Sequence, residues 1–220
     1  MPIDKFSDKN TIRYYEFQET FKSLNNHTKI NWLDKKHIVN MEAIAKKVRQ
    51  NPITGCSPYL VVSGNFHEAF NIFAIISANP LKKKPMQNYI TKDNGTSATF
   101  LLFIQMLILS GWFQHDEVLV MDNAAIHTSN ETSVVEDLLW EAVVDGRPLR
   151  NIIIYLPTRA PELNPIEYIF NVLAARIRSW RYRNATGQGV DMSGVIAIAR
   201  DVMDNMEYDV ILRCAIHCGY

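Results

Sequence analysis

The chain has little cysteine, no net charge and no long apolar run. Its three cysteines, Cys56, Cys214 and Cys218, cannot all pair with one another, which fits a reducing compartment rather than a disulfide-stapled secreted domain. Basic and acidic residues number 23 each, so the surface as a whole offers no excess of cation for a free-standing binder of phosphate backbones. No apolar run reaches the roughly 18 residues of a membrane span, and no basic-apolar-small-residue leader opens the chain. Internal repeats, low-complexity tracts and a glycine loop able to cradle a nucleotide phosphate are missing too. These absences point to an intracellular, globular protein with no membrane partner, and they weigh against a small-molecule phosphohydrolase. What remains is a chain of 220 residues, 47% of them hydrophobic, enough for one sizeable core.

Two stretches stand out. In VLVMDNAAIH the apolar run Val118 to Met121 reads as a buried strand that stops on Asp122. In IIIYLPTRAPELNPIE, a second apolar strand, Ile152 to Leu156, leads through a proline-punctuated loop into a helix opened by Asn164 and Pro165. Glu167 falls in that helix's first turn. A helix-patterned segment from Glu131 to Val144 and a turn at DGRP separate the strands, so they form a βαβ unit with parallel strands. Asp122 and Glu167 can then meet at the carboxyl edge of the sheet, where open α/β sheets place ligands.

Paired carboxylates suit a hard divalent cation such as Mg²⁺, which takes oxygen ligands and accompanies phosphoryl chemistry. A third acid, Asp34 in KINWLDKKHI, follows another short strand-like segment, Lys29 to Leu33. In that order, INWLDKKH, DNAAIH and LPTRAPELNPIE resemble the DDE superfamily endonuclease domain of mariner-type (Tc/mariner-like) transposases, over roughly residues 12 to 185. The resemblance implies an α/β, ribonuclease H-like fold with a mixed central sheet flanked by helices. It implies Asp34, Asp122 and Glu167 as catalytic residues and metal ligands, binding two Mg²⁺ or Mn²⁺ ions. The implied activity is cleavage of DNA ends and their transfer to target DNA, with DNA as partner, a homodimer as candidate assembly and the nucleus as location in a eukaryote. Family members commonly carry Glu after the first Asp, where this chain has Lys35, a cation that would pair with Asp34 or compete with a metal. The residues before the domain are too few for the paired helix-turn-helix region that mariner-type transposases carry. A transposase-derived domain that binds DNA or protein without cutting is therefore the alternative.

Each acid has a plainer reading. Asp34 could be a strand-end turn acid and Asp122 could hold its own turn. Asn164 and Glu167 have the layout of a capping box, with Glu167 folded back on the backbone. Glu162 is the substitute third acid. Asn123 could orient Asp122 or a metal-bound water, and His127 could brace the strand-to-helix loop or touch a phosphate. Two basic clusters, Lys82, Lys83 and Lys84, and Arg176, Arg178, Arg181 and Arg183 with Trp180 and Tyr182 interleaved, are candidate nucleic-acid contacts, against a solvated helix face for the second. Cys214, His217 and Cys218 could approach a zinc ion on one helical turn, but a structural site takes four ligands and no fourth stands out. Buried thiols are the better reading.

Along the chain, residues 1–28 form a helical extension packed beside the core, 29–185 the endonuclease domain and 186–220 a helical tail. Residues 41–50 read as a basic helix, and Tyr59 to Ser63 with Phe70 to Ser77 as an antiparallel meander. Ser97 caps an all-round apolar helix, Ala98 to Leu109, expected to be buried against the sheet. A helix from about Met192 to Met206 precedes a short apolar end.

Overall fold

The computed structural model describes residues 7–24, 29–39, 69–93, 95–122, 130–184 and 192–220. Among these residues, five strands form one mixed sheet in the order β3-β2-β1-β4-β7. They are β1 (Ile30–Val39), β2 (Ala69–Ser77), β3 (Met86–Thr91), β4 (Val118–Met121) and β7 (Ile152–Tyr155). β1, β2 and β3 make an antiparallel meander, whereas β1, β4 and β7 run parallel. A separate two-stranded hairpin, β5 (Val143–Val144) and β6 (Arg147–Pro148), precedes β7.

Alternation along β1 sorts its side chains between two cores. Ile30, Trp32 and Ile38 face α4 (Pro165–Asn184), α5 (Met192–Asp204) and α6 (Tyr208–His217), while Leu33 faces α2 (Ser97–Leu109) and α3 (Asn130–Glu141). Phe17 and Phe21 of α1 (Asp8–Lys22) join the first of these cores, as do Val195, Ile211 and Ala215 near the chain's far end. No helix among the described residues is long and apolar enough to cross a membrane.

Several elements depart from expectation. β1 runs on through Asp34 to Val39, so Asp34 lies inside a strand and not at its tip. Tyr59–Ser63 and the helix at 41–50 lie outside the described residues, and β2 finds its other neighbour in β3, whose mixed MQNYIT sequence gives little strand signal. Thr96 caps α2, its hydroxyl accepting from the Thr99 amide, and Ser97 is the first helical residue. α2 buries only one stripe (Phe100, Phe103, Ile104 and Leu107); Leu109 is 87% exposed, because a single sheet face covers this helix. α3 stops at Glu141, since Asp145 and Gly146 both have positive φ, as a tight two-residue hairpin turn demands. The apolar end of the chain is the helix α6.

Candidate active site

The parallel pairing of β1 with β4 sets Leu33 opposite Met121. Asp34 and Asp122 each follow that last pair, which brings Asp122 close enough for its charge to act on Asp34. The same alternation turns Asp34 toward the α4 side of the sheet, with Trp32 and Ile38. After β7, a 3₁₀ turn at Pro161–Leu163 leads into α4, whose first turn carries Glu167.

The three acids share one electrostatic neighbourhood. Asp34 is buried, at 6% exposure, while Asp122 and Glu167 are half-buried. Burial, then the charge of Asp122, then that of Glu167 hold the Asp34 carboxyl well above the usual aspartate range. The Lys35 amide and the Lys36 charge oppose that rise. The acids do not form a closed cage: among the described residues, no three His, Cys, Asp or Glu side chains are grouped to hold a metal ion. As a donor set they suit a hard divalent cation, and a buried carboxylate crowded by two like charges is what such a cation would relieve.

Neighbouring residues bear on the plainer readings. The Lys35 side chain points to the opposite face of β1, where Nζ donates to the Gly95 carbonyl at 3.2 Å. It therefore does not pair with Asp34; all that Lys35 gives that carboxylate is its backbone amide, at 2.6 Å. The capping box is not made. Asn164 gives its backbone N–H to Pro161 O, at 3.0 Å, and its side-chain Nδ2 to Asp34 Oδ2, at 2.9 Å, while its Oδ1 has no hydrogen-bond partner. Glu162 is set toward α6, where its charge acts on Tyr168 and Cys218, and it is not among the charges acting on Asp34. Asn123 and His127 lie outside the described residues.

The loop between β7 and α4 is held from two sides. Asn10 of α1 donates from Nδ2 to Thr158 O, at 2.9 Å, and accepts the Thr158 amide on Oδ1, at 3.0 Å. From the other side, the Tyr220 hydroxyl donates to Leu163 O, and the Tyr220 ring lies 4.5 Å from Phe21 and 5.1 Å from Trp32. In the sequence Asn164 reads as the opener of a helix, and Asn10 does not stand out. Both partners lie more than a hundred residues away, and only the buried setting of a polar side chain could have flagged them.

The basic clusters separate. Lys82 is a buried structural residue and not a surface cation: its Nζ donates to Trp112 O at 2.6 Å and Glu117 Oε2 at 3.0 Å, over the Trp112 ring. Lys83 and Lys84 are exposed, on the turn that follows Ser77. Ser77 pairs with Asn31, so this turn sits at the end of the sheet where β4 begins, opposite the end carrying Asp122. Arg176 and Arg178 are exposed on α4, and the side chains of Arg181 and Arg183 lie outside the described residues. At the chain's far end, Cys214 and Cys218 are half-buried free thiols, and the His217 ring stands edge-on to Tyr168 at 4.9 Å. Burial raises both thiols, Cys218 to about 12, and no zinc cluster forms among the described residues.

A sequence profile for DDE superfamily endonucleases matches residues 32–186, a span from β1 through α4 that includes all three acids. The chain belongs to the DDE superfamily of endonucleases. A search of curated proteins by sequence finds no match. The fold of this DDE superfamily domain resembles solved structures of the Mos1 mariner transposase. Against the paired-end complex of Mos1 with its left transposon end, the TM-score is 0.67 at 12% identity, covering 96% of this chain and 59% of that one. Against the Mos1 catalytic domain alone it is 0.60 at 10% identity, covering 98% and 89%. The Mos1 catalytic domain with raltegravir and Mn gives 0.61 at 12%, covering 97% and 93%. At these identities the likeness shows the fold, a ribonuclease H-like sheet flanked by helices. The chain spans about three fifths of the transposase in the paired-end complex.

Proposed function

We propose that this DDE domain is a divalent-metal-dependent DNA endonuclease and strand-transfer domain of the mariner type, with Asp34, Asp122 and Glu167 as its metal ligands. What supports the reading is that Asp122, just past the end of β4, and Glu167, in the first turn of α4, both lie near enough for their charges to raise the buried Asp34 carboxyl. Like charges drawn from separate parts of the chain repel one another, a cost that a bound cation would relieve. Two Mg²⁺ or Mn²⁺ ions bound there would supply an activated water or 3′-hydroxyl and neutralise the leaving oxygen. Mos1 structures with Mn and with Mg support the choice of ions.

The chain's own residues do the placing. Asp34 lies within the sheet and Asp122 just past the end of the neighbouring strand, while Glu167 is half-buried on the first turn of a helix. Lys35 faces away, which removes the argument for a non-catalytic domain that its sequence position raised. DNA entering at Glu167 can run along α4, where Arg178, eleven residues or about three turns on, lies roughly 16 Å away on nearly the same face of the helix. Arg178 is therefore a better candidate than Lys83 and Lys84 to neutralise phosphates of the strand being cut, whereas Arg176 lies on the α5 side of the helix.

Nicking of supercoiled plasmid by the purified chain tests the reading. We expect relaxed circles with Mn²⁺ or Mg²⁺, none with EDTA, and none from a folded Asp122→Ala variant. A folded wild-type protein that neither nicks DNA nor binds Mn²⁺ by calorimetry overturns the proposal.

A further inference from the structure

Asn164 breaks a local rule. A polar residue preceding a helix ordinarily turns its side-chain oxygen back on the first-turn amides. Here the Glu167 amide takes the Asn164 backbone carbonyl, at 3.1 Å, and the side-chain Oδ1 is left buried without a hydrogen-bond partner. The amide nitrogen instead reaches across the sequence to Asp34. Asn164 is 2% exposed and Asp34 6%, so water does not compete for this bond. Such exceptions collect at functional positions.

We propose that Asn164 is a positioning residue for Asp34, setting the carboxylate in the orientation that binds the divalent cation. The inference rests on the metal-binding role proposed above. Asp34 Oδ1 is held by the Lys35 amide of its own strand and Oδ2 by Asn164 from the start of α4. Two donors on two oxygens define the plane of the carboxylate. Each oxygen has a second lone pair left for a ligand. Asn164 also stands three residues before Glu167, so one turn of chain carries one proposed ligand and the group that orients another. Seating of α4 and aim of Asp34 are thereby linked. The partnerless Oδ1 is a further buried acceptor beside the same carboxylate, suited to a water hydrating the cation.

Calorimetric Mn²⁺ titration of the 220-residue chain, with Asn164→Leu and Asn164→Ala, tests this. Leucine keeps the volume and removes both polar groups. Loss of a residue that orients a ligand weakens metal binding by about 10- to 100-fold. We expect that loss in both variants, together with a matching rise in the Mn²⁺ concentration for half-maximal nicking and near wild-type nicking at saturating Mn²⁺. Lowered thermal stability with unchanged Mn²⁺ affinity per folded molecule assigns Asn164 a purely structural role and overturns the inference. If neither variant folds, the wild-type Asn164 side-chain amide resonances decide. A shift on Mg²⁺ addition that saturates with the calorimetric midpoint supports positioning, and no shift overturns it. Asp34→Asn separates the two levels. Unchanged Mn²⁺ binding there defeats the metal site itself, whereas loss there with full binding in Asn164→Leu defeats only the role of Asn164.

Discussion

Replacing Lys82 with methionine tests the view that this lysine holds the sheet together and does not meet DNA. Methionine keeps the unbranched stem and removes the charge. Four interactions vanish: the hydrogen bond to Trp112 O, the ion pair with Glu117 Oε2 at 3.0 Å, the cation over the Trp112 ring at 4.4 Å, and its longer approach to the Phe113 ring at 5.9 Å. Side-chain exposures of 3% for Lys82 and 0% for Glu117 put the pair out of reach of solvent. Glu117 Oε2 would retain the Asn31 side chain at 3.1 Å and the Gln114 amide at 3.0 Å, both neutral donors. Removing one partner of a buried ion pair costs about 3–5 kcal/mol, mostly through the stranded charge. Burial lowers the Lys82 pKa while Glu117 raises it, so part of the pair's attraction already offsets its own desolvation. For a chain of this size the loss corresponds to a Tm lower by about 6–20 °C. Urea unfolding followed by circular dichroism measures it. Lys82→Met combined with Glu117→Gln should recover most of the loss, because a neutral amide replaces the stranded carboxylate. DNA affinity, compared at equal folded fraction, should not change. A loss under about 1 kcal/mol accompanied by weaker DNA binding would refute the burial argument, since a truly buried lysine cannot give that pattern.

The remaining predictions concern the acids, the clamp and the thiols. Asp34 has a raised pKa in the folded state, so without divalent cation the folded chain holds a proton that the unfolded chain releases. The contribution of Asp34 to stability should therefore be fully present below the ordinary aspartate range, about 4, and be lost as pH rises through the raised value. Asp34→Asn should flatten that slope in EDTA, and an unaltered slope in urea midpoints against pH would contradict the assignment. Asn10→Ala removes both bonds to the Thr158 backbone and should cost about 1–3 kcal/mol, with faster amide exchange in the loop from 157 to 163 as the specific sign. Burial, with Cys214 and Glu162 nearby, pushes Cys218 up to about 12. Native Cys214 and Cys218 should resist iodoacetamide and react quickly once denatured, read by peptide mass spectrometry; rapid native labelling would show the thiols are open.

Local signals made part of this architecture legible. Val118 to Met121 and Ile152 to Leu156 are apolar runs ended by turn residues, and they do form parallel neighbours. The proline that opens α4 marks its start. Other features depend on distant partners. The charged run Lys35, Lys36 and His37 reads as the end of a strand, yet β1 continues because β2 pairs with it as far as Val39 and Lys35 finds the Gly95 carbonyl. Lys82 belongs to a run of three identical residues, and only the fold shows that the first is buried against Glu117. Asn164 read as a helix opener because its true partner lies 130 residues earlier.

The pairing of β1 with β4 also limits how a descendant of this chain can change. Residues can be gained or lost in the exposed β5–β6 hairpin, because that crossover only has to return to the sheet. Between Ile30 and Asp34 no such freedom exists. A single-codon insertion or deletion would exchange the two faces of the strand, bring a leucine or a lysine to the place of the aspartate, and force that carboxylate into the apolar layer beneath α2. Drift in length should therefore be common in one part of this molecule and purged in the other.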